Sequence, residues 1–237
     1  MNYTYLDCLS ALGVGGAHPG GLQLTKELLS KEKIDETKLI LDAGCGTGQT
    51  SAYIAERYQC QVTALDSNKI MLDKARKRFS SIQLPIKVKE GSTEKLPFEE
   101  RMFDMILSES VICFTDICLT ISEFKRVLKQ NGVLIATEMV LEKSLAEKDL
   151  KTIVDFYGVT QLLTEKEWHN LLQKAGFTQV NVEKFKLQLA KNEVQNATDF
   201  SLSENIDENI FEILEQHEYF TTKYKDILGF RVFRCCI

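Results

Sequence analysis

Residues 39–48 read Leu-Ile-Leu-Asp-Ala-Gly-Cys-Gly-Thr-Gly, an apolar run that leads into an acid and three glycines spaced two apart. This pattern predicts a buried strand followed by a ligand-binding turn, because glycine adopts conformations that a Cβ forbids and lets a ligand approach the main chain. The dinucleotide fingerprint G-x-G-x-x-G would place its third glycine at position 49, which is Gln49. The spacing therefore disfavours a nicotinamide cofactor.

A second acid stands at the end of the next predicted strand. Gln61–Leu65 predict a short buried strand after a helix over Thr50–Tyr58, and Asp66 follows at once. A carboxylate here can accept hydrogen bonds from both hydroxyls of a ribose, each worth about 1.5–3 kcal/mol when charge-assisted. The alternative is that Asp66 caps the predicted helix Ser67–Phe79. The residues alone leave both roles open.

The glycine loop with Asp42, followed by Asp66, resembles motif I and the next acid of the class I S-adenosylmethionine (SAM) dependent methyltransferases. In that family the loop carries the methionine end of SAM, the first acid receives its ammonium group directly or through water, and the second acid binds the ribose. Residues 90–98, Glu-Gly-Ser-Thr-Glu-Lys-Leu-Pro-Phe, resemble the adenine loop of the ubiquinone and menaquinone biosynthesis branch. Many relatives have Asp at the position of Ser92, so here Ser92 or Glu94 would accept from the adenine amino group.

The resemblance implies SAM as the cofactor. The contact residues that it implies are Asp42, Ala43, Gly44, Cys45, Gly46, Gly48, Asp66, Ser67, Met71, Ser92, Thr93, Glu94 and Ser108. No metal ion is expected, because the chain has three histidines and no cysteine pairs at zinc-ligand spacing. Its seven scattered cysteines fit reduced thiols better than a disulfide framework.

Strands and helices alternate from Lys38 to about Val140, which predicts parallel strand pairing with right-handed crossovers. The resemblance extends this to a Rossmann-like α/β fold with a seven-stranded, mostly parallel sheet, flanking helices and helical lid additions. Further strands are expected over Phe103–Ser110, Val133–Thr137, Gly176 to about Phe185 and Gly229–Cys235, with a helix over Glu123–Lys129 and a turn at 130–132.

The chain is expected to form a single domain over residues 1–237, with a SAM-binding core at 36–140. Three segments lie outside the alternation: residues 1–35, about 141–166 and about 187–226. Ligands of open parallel sheets sit beyond the carboxyl ends of the strands. Family members place such additions over that edge as a lid that selects the substrate, and this is the role expected here.

Five glycines occur within residues 13–21 of the first addition. No Gly-Lys-Ser/Thr follows, so this is not a P-loop, and a mobile flap that closes on the cofactor and excludes water is predicted. His18 lies in this flap and is a candidate general base near neutral pH; the alternative is a solvated loop histidine. Pro19-Gly20-Gly21 also suits the start of a helix over Leu22–Ser30.

Methyl transfer needs alignment more than a catalytic group, since holding two reactants in attack geometry can supply about 7–11 kcal/mol. A base is needed only if the attacking atom carries a proton near neutral pH. Glu109 and Glu138, at predicted strand ends, are the carboxylate candidates; the alternative for each is a surface or hydrogen-bonding role. Six aromatic residues either line an acceptor pocket or belong to the core: Tyr3, Tyr5, Phe114, Phe156, Tyr157 and Trp168.

The formal charge of the 237-residue chain is −5. A protein that binds nucleic acid usually shows a basic patch, because phosphate neutralisation dominates such affinity. Five basic residues cluster, but their helical spacing predicts a solvated face: Lys69, Lys74, Arg76, Lys77 and Arg78. A small-molecule acceptor is therefore expected, and nucleic acid is not.

No run of about 18 apolar residues occurs, and Met1–Gly21 lacks the pattern of a secretory signal, so a cytoplasmic protein without a membrane span is expected. The oligomeric state is not fixed by the sequence. Two alternatives to methyl transfer stay open: a relative that transfers another group from the same cofactor, such as an aminopropyl or carboxymethyl group, and a catalytically silent SAM-binding regulator.

Overall fold

The computed structural model describes residues 3–185 and 199–237. The strands in this part of the chain are β1 (Leu39–Ala43), β2 (Gln61–Asp66), β3 (Lys87–Glu90), β4 (Phe103–Glu109), β5 (Leu128–Leu141), β6 (Gln179–Glu183) and β7 (Leu228–Cys236). The helices are α1 (Tyr5–Leu12), α2 (Gly21–Ser30), α3 (Gln49–Tyr58), α4 (Lys69–Ser81), α5 (Ile117–Val127), α6 (Glu147–Tyr157), α7 (Glu165–Lys174) and α8 (Asn209–Lys223). A 3₁₀ turn spans Ile112–Phe114.

The strands form one seven-stranded sheet in the order β3-β2-β1-β4-β5-β7-β6. β1 pairs in parallel with β2 and β4, β2 pairs in parallel with β3, and β4 with β5. β7 runs antiparallel to both β5 and β6. The predicted Rossmann-like α/β fold with a mostly parallel sheet is confirmed.

Helices cover both faces of the sheet, which explains the continuous apolar runs of its central strands. Ile40 and Leu41 of β1 are both fully buried, yet they belong to different clusters because successive side chains of a strand point to opposite faces. Leu41 packs with residues of α5 and α7, whereas Ile40 packs with residues of α2 and α3. The carboxyl ends of β1, β2 and β4 are thereby held at one rigid edge.

Several element boundaries differ from the prediction. α5 begins at Ile117 and not at Glu123, because the Asp116 side chain accepts from the Leu119 amide at 3.0 Å and caps the helix. It ends at Val127, and β5 continues to Leu141 because it pairs with β7 along its whole second half. The expected turn at 130–132 therefore belongs to the start of β5, and β6 is shorter than expected.

The three predicted additions contain helices in their described parts. Residues 1–35 supply α1 and α2, residues 141–166 supply α6, and the third addition supplies α8. Residues 187–198 of that addition lie outside the described residues. α1 packs on α8 through a small apolar cluster that includes Cys8, Leu12 and Ile210. Within residues 3–185 and 199–237, no helix is both long enough and apolar enough to cross a membrane.

Candidate functional site

The glycine loop after β1 leaves one backbone position facing open space. Gly44 and Gly46 have positive φ angles of 82° and 53°. A Cβ at Gly44 would lie 2.3 Å from Val111 Cγ2, so close packing requires that glycine. A Cβ at Gly46 would meet no described atom within 4 Å beyond its chain neighbours. A ligand can therefore approach the main chain at Gly46.

Asp42, the penultimate residue of β1 before this loop, is a buried acid. The residue is 3% exposed, and its Oδ2 accepts a hydrogen bond of 2.5 Å from Ser51 Oγ. Burial raises the pKa of Asp42 to about 7, and the negative charges of Glu109 and Asp66 add to that rise. A cation bound at this point would stabilise the ionised carboxylate.

Asp66 ties the end of β2 to the glycine loop. Its Oδ2 accepts from the Gly46 amide at 2.9 Å, and its Oδ1 accepts from the Asn68 amide at 2.8 Å. Burial raises the pKa of Asp66 as well. The N-cap of α4 is Asn68, whose side chain accepts from the amides of Ile70 and Met71, so Asp66 does not cap this helix and α4 begins at Lys69.

Two side chains of the loop after β3 contact α5 and its N-cap. Glu94 Oε1 accepts from the Asp116 amide at 2.7 Å, and Thr93 Oγ1 lies 3.3 Å from Thr120 Oγ1. Ser92 Oγ accepts from the Glu94 amide at 3.1 Å and keeps a second lone pair and its proton. Of the two side chains expected to accept from adenine, Glu94 is thus engaged by the start of α5.

The remaining predicted contact residues differ in exposure. Ser67 is exposed, whereas the others are buried: Ala43, Cys45, Gly48, Met71 and Ser108. The Ser108 hydroxyl has no hydrogen-bond partner among the described residues. In the same part of the chain, no three His, Cys, Asp or Glu side chains come together in a way that could hold a metal ion.

Glu109, the last residue of β4, gathers polar side chains from three other segments. Its Oε1 accepts from Thr25 Oγ1 at 2.5 Å, and its Oε2 accepts from Thr50 Oγ1 at 2.9 Å. The same Oε2 lies 3.4 Å from His18 Nε2. The side chain of His18 is 3% exposed and that of Glu109 is 7% exposed, so the alternative of a solvated loop histidine is wrong.

The other ring nitrogen of His18, Nδ1, is buried and makes no hydrogen bond to the described residues. Buried polar atoms are nearly always hydrogen-bonded, so an unpartnered one calls for an explanation. Two of the three predicted base candidates, His18 and Glu109, are therefore in contact, and of these two His18 has the unpartnered buried atom.

Comparison with known proteins agrees with this geometry. The family described as "Methyltransferase domain" matches residues 41–136. An uncharacterized methyltransferase of Bacillus subtilis (strain 168), YodH, is 40% identical over 229 residues, which are 97% of each chain. The chain belongs to the class I SAM-dependent methyltransferase family.

Two more distant methyltransferases show how far the likeness reaches. The demethylmenaquinone methyltransferase of Chlorobaculum tepidum is 30% identical over 64% of this chain and 60% of its own. The structure of Haemonchus contortus phosphoethanolamine N-methyltransferase 2 in complex with SAM has a TM-score of 0.78 at 19% identity. That alignment covers 99% of this chain and 57% of the other, so it supports the fold.

Glu138, the second carboxylate candidate of this methyltransferase, accepts hydrogen bonds from the backbone. It is fully buried on β5 and accepts from the amides of Val111, Ile112 and Cys113 at 2.9–3.2 Å. Burial raises its pKa to about 7. Glu138 thus fixes the 3₁₀ turn and the preceding Val111, which packs on Gly44. This is the hydrogen-bonding role that was the alternative to a base.

The six aromatic residues do not form one pocket. Trp168 is in the core, where its Nε1 donates to the Met139 carbonyl at 3.0 Å. The rings of Tyr5, Phe156 and Tyr157 contact one another between α1 and α6, with centroids 4.8–6.0 Å apart. Tyr3 is bonded to Asp207 at the surface, and Phe114 packs against the core.

The predicted solvated face of α4 is partly wrong. Lys69, Arg76 and Lys77 are exposed, but Lys74 is buried and Arg78 is half-buried. Lys74 and Arg78 are four residues apart and share one helix face, which was the available signal. Sequence reasoning also missed four partners of the predicted acids: Thr25, Thr50, Ser51 and Asn68.

Proposed function

We propose that this methyltransferase binds SAM over the glycine loop and transfers its methyl group to a small-molecule acceptor at the carboxyl edge of the sheet. The observation that carries the proposal is the open side of Gly46, whose amide is fixed by Asp66 beside the buried Asp42. When bound, SAM supplies a sulfonium-activated methyl group that a nucleophile attacks in line.

The residues around the loop suit the polar groups of SAM. Asp42 is placed to receive the ammonium group, which would offset the burial of its carboxylate. Asp66 accepts two backbone hydrogen bonds, and a carboxylate has about four lone-pair sites, so it can also accept from two ribose hydroxyls. Ser92 is the better candidate for the adenine amino group, because Glu94 already accepts from Asp116.

The acceptor is a small molecule in this proposal. The chain carries a net negative charge, and the basic residues Lys74 and Arg78 point into the protein, so α4 offers a reduced basic face for phosphates. A phosphoethanolamine and a demethylmenaquinone enzyme are among the similar proteins. The resemblance of residues 90–98 favours the ubiquinone and menaquinone type branch.

We assign the two predicted catalytic residues different roles. Both oxygens of Glu109 already accept hydroxyl hydrogen bonds, so Glu109 is suited to orient His18 through Nε2. Nδ1 then carries the lone pair that takes a proton from the acceptor, provided that the Nε2–H tautomer is present. The helices of residues 1–35, 141–166 and 199–226 select the acceptor over this edge.

Titration calorimetry tests the cofactor part of the proposal. The protein should release or take up heat with SAM and with S-adenosylhomocysteine, and none with NAD. Methyl transfer is tested by incubating the protein with SAM labelled in its methyl group and a metabolite extract, with the Gly46→Val variant as the control. Absence of any heat with SAM at about millimolar concentration, equivalent to an affinity weaker than about −4 kcal/mol, would refute SAM binding.

A further inference from the structure

Two cations on one face of α4 point into the protein and hold segments that are distant in sequence. Lys74 is 8% exposed, which is rare for lysine unless its ammonium group is fully paired. Its Nζ donates to the carbonyls of Ser10 at 2.8 Å, Ala11 at 3.1 Å, and Ser201. Three acceptors match the three protons of an ammonium group. Lys74 thus closes the carbonyl end of α1.

Arg78 lies one turn further along α4 and makes the second set of contacts. Its Nε donates to the Thr47 carbonyl at 2.9 Å, and its Nη2 lies 2.7 Å from Asp199 Oδ2. Thr47 lies between Gly46 and Gly48 of the glycine loop. Arg78 therefore joins the glycine loop to Asp199.

The segments held by these cations also pair with each other. Val14 and Phe200 form an isolated antiparallel bridge. The Gly15 amide donates to the Asp199 carbonyl at 2.9 Å, and the Ser201 amide donates to the Gly13 carbonyl at 3.0 Å. Residues 13–15 begin the predicted flap. The flap is thus attached to residues 199–201, and both are attached to α4.

We propose that Lys74 and Arg78, the basic clamp, are positioning residues of the cofactor site: they hold residues 10–15 and 199–201 against the glycine loop, so that cofactor leaves only after these contacts open. Lys74 acts on the flap, whereas Arg78 acts on both the loop and residues 199–201. The part that concerns cofactor release rests on the proposed SAM binding. The part that concerns attachment of the flap does not.

Hydrogen exchange of the full chain without cofactor tests the attachment. Lys74→Met and Arg78→Gln are compared with Lys77→Met and Arg76→Gln, which change exposed residues of the same helix by the same substitutions. Amides of residues 10–15 and 199–201 should exchange at least about tenfold faster in the two clamp variants. Each variant loses more than one charged contact, and the loss of a single buried charged hydrogen bond already shifts a local opening equilibrium by about that factor. Equal exchange in clamp and control variants would overturn the proposal.

Surface plasmon resonance with S-adenosylhomocysteine as the probe tests cofactor release. The dissociation rate should rise about tenfold in Arg78→Gln, with a smaller change in the association rate. Faster exchange with an unchanged dissociation rate would overturn the positioning role and leave the clamp as a structural contact. If the wild-type protein does not bind the probe, the proposed cofactor site fails, while the exchange measurement still decides the attachment.

A variant outside α4 protects the test against a folding defect. Asp199→Asn removes the charge that faces Arg78 and leaves α4 unchanged. It should raise exchange of residues 10–15 and the dissociation rate in the same direction as Arg78→Gln, and the double variant should show less than the product of the two effects, because both changes break one ion pair. Independent, fully multiplicative effects would contradict the clamp.

Discussion

Two regions near the carboxyl edge of the sheet differ in how far their charged groups are satisfied. One is the glycine loop. The other, the flap attachment, comprises the contacts of Lys74 and Arg78 with residues 10–15 and 199–201 and the contacts of Glu109 with His18 and Thr25. Around the loop, burial raises the pKa of Asp42 and of Asp66, and their hydrogen bonds only partly oppose it. In the flap attachment, Lys74 has three carbonyl partners and both oxygens of Glu109 accept hydroxyl groups. The acids of the loop therefore have capacity left for a cationic ligand. In the attachment, Lys74 and Glu109 are satisfied, and Asp199 Oδ1 is a buried oxygen without a partner among the described residues.

This difference separates groups that are available to bind a ligand from groups that are already bonded within the protein. A ligand gains most where desolvated polar atoms still lack a partner, because the protein has already met the cost of burying them. In the flap, the unpartnered atom is His18 Nδ1, beside the saturated Glu109. His18, the proposed base, therefore resembles the acids of the loop: it is buried and still lacks a hydrogen-bond partner at Nδ1.

Gly46→Val should have the largest effect on the loop. The new side chain would occupy the open space where SAM is placed, so SAM affinity should fall by on the order of 100-fold or more. Gly158→Val is a matched control: Gly158 also has a positive φ, and a Cβ there likewise meets nothing within 4 Å among the described atoms. Both variants should lose similar stability, about 1–2 kcal/mol from the left-handed backbone. Calorimetry that finds equal SAM affinity in the two variants would place the cofactor elsewhere.

His18→Gln tests whether His18 Nδ1, the unpartnered atom of the flap, accepts a proton during methyl transfer. Turnover should fall by about 10²–10⁴-fold once an acceptor is known, as is typical for loss of a general base, while SAM affinity changes little. Thr25→Val is the comparison, because it removes a hydrogen bond to Glu109 and the 3.4 Å contact of Thr25 Oγ1 with His18 Nε2 but keeps the imidazole itself. Steady-state kinetics across pH provides the measurement. Normal turnover in His18→Gln would reassign the histidine to packing and leave no proton acceptor in this contact.

Asp66→Ala should weaken SAM binding by about 2–4 kcal/mol, or about 30- to 1,000-fold, because ribose hydroxyls lose their acceptor. Asp66→Asn should lose less, since the amide oxygen can still accept from one donor. The exposed Asp73, which pairs with Arg76 on α4, offers Asp73→Ala as a control without effect. Unchanged affinity in Asp66→Ala, measured by calorimetry, would reduce Asp66 to an anchor of the Gly46 and Asn68 amides.

The same two regions differ in how well the sequence predicts them. The acids at the ends of β1, β2 and β4 were predictable, because parallel pairing brings successive strand ends to one edge whatever the intervening helices contain. The flap attachment was not predictable. It joins Thr25 to Glu109 across 84 positions and Lys74 to Ser201 across 127, and neither periodicity nor local propensity records which distant side chains will meet. A basic helix face is predicted to be solvated unless the distant segment that covers it is known.

Boundaries failed for a related reason. The signal for the start of α5 was local, an Asp cap at position 116, and the predicted helix over Glu123–Lys129 did not use it. The length of β5 was set by β7, about 90 residues later in the chain, so the antiparallel partner and not the strand's own residues decided where it ends. The fold class survived both errors because the alternation of elements, not their exact bounds, determines the sheet.

The smallest expected effect is the pH dependence of SAM binding. It tests most directly whether the buried carboxylate of Asp42 is available for a cationic ligand. Asp42 has a pKa of about 7 in the folded protein against an ordinary value of 3.8. Between these values the folded protein without SAM binds more protons than the unfolded chain, so the contribution of Asp42 to stability falls as pH rises from about 4 to about 7. The ammonium group of SAM needs the ionised carboxylate, so SAM affinity should instead rise through this range, by up to about tenfold per pH unit below 7.

Two variants decide which acid is responsible, since the pKa of Glu138 is also raised to about 7. Asp42→Asn should remove the pH dependence of SAM affinity, because the neutral amide has no proton to lose. Glu138→Gln should keep it, because the Glu138 carboxylate is already bonded to the amides of residues 111–113. Calorimetric titrations from about pH 5.5 to about pH 8 would measure both. If wild-type affinity is flat over this range, Asp42 does not bind the ammonium group, and the contrast between the unsatisfied acids of the loop and the satisfied Lys74 and Glu109 of the attachment loses its main support.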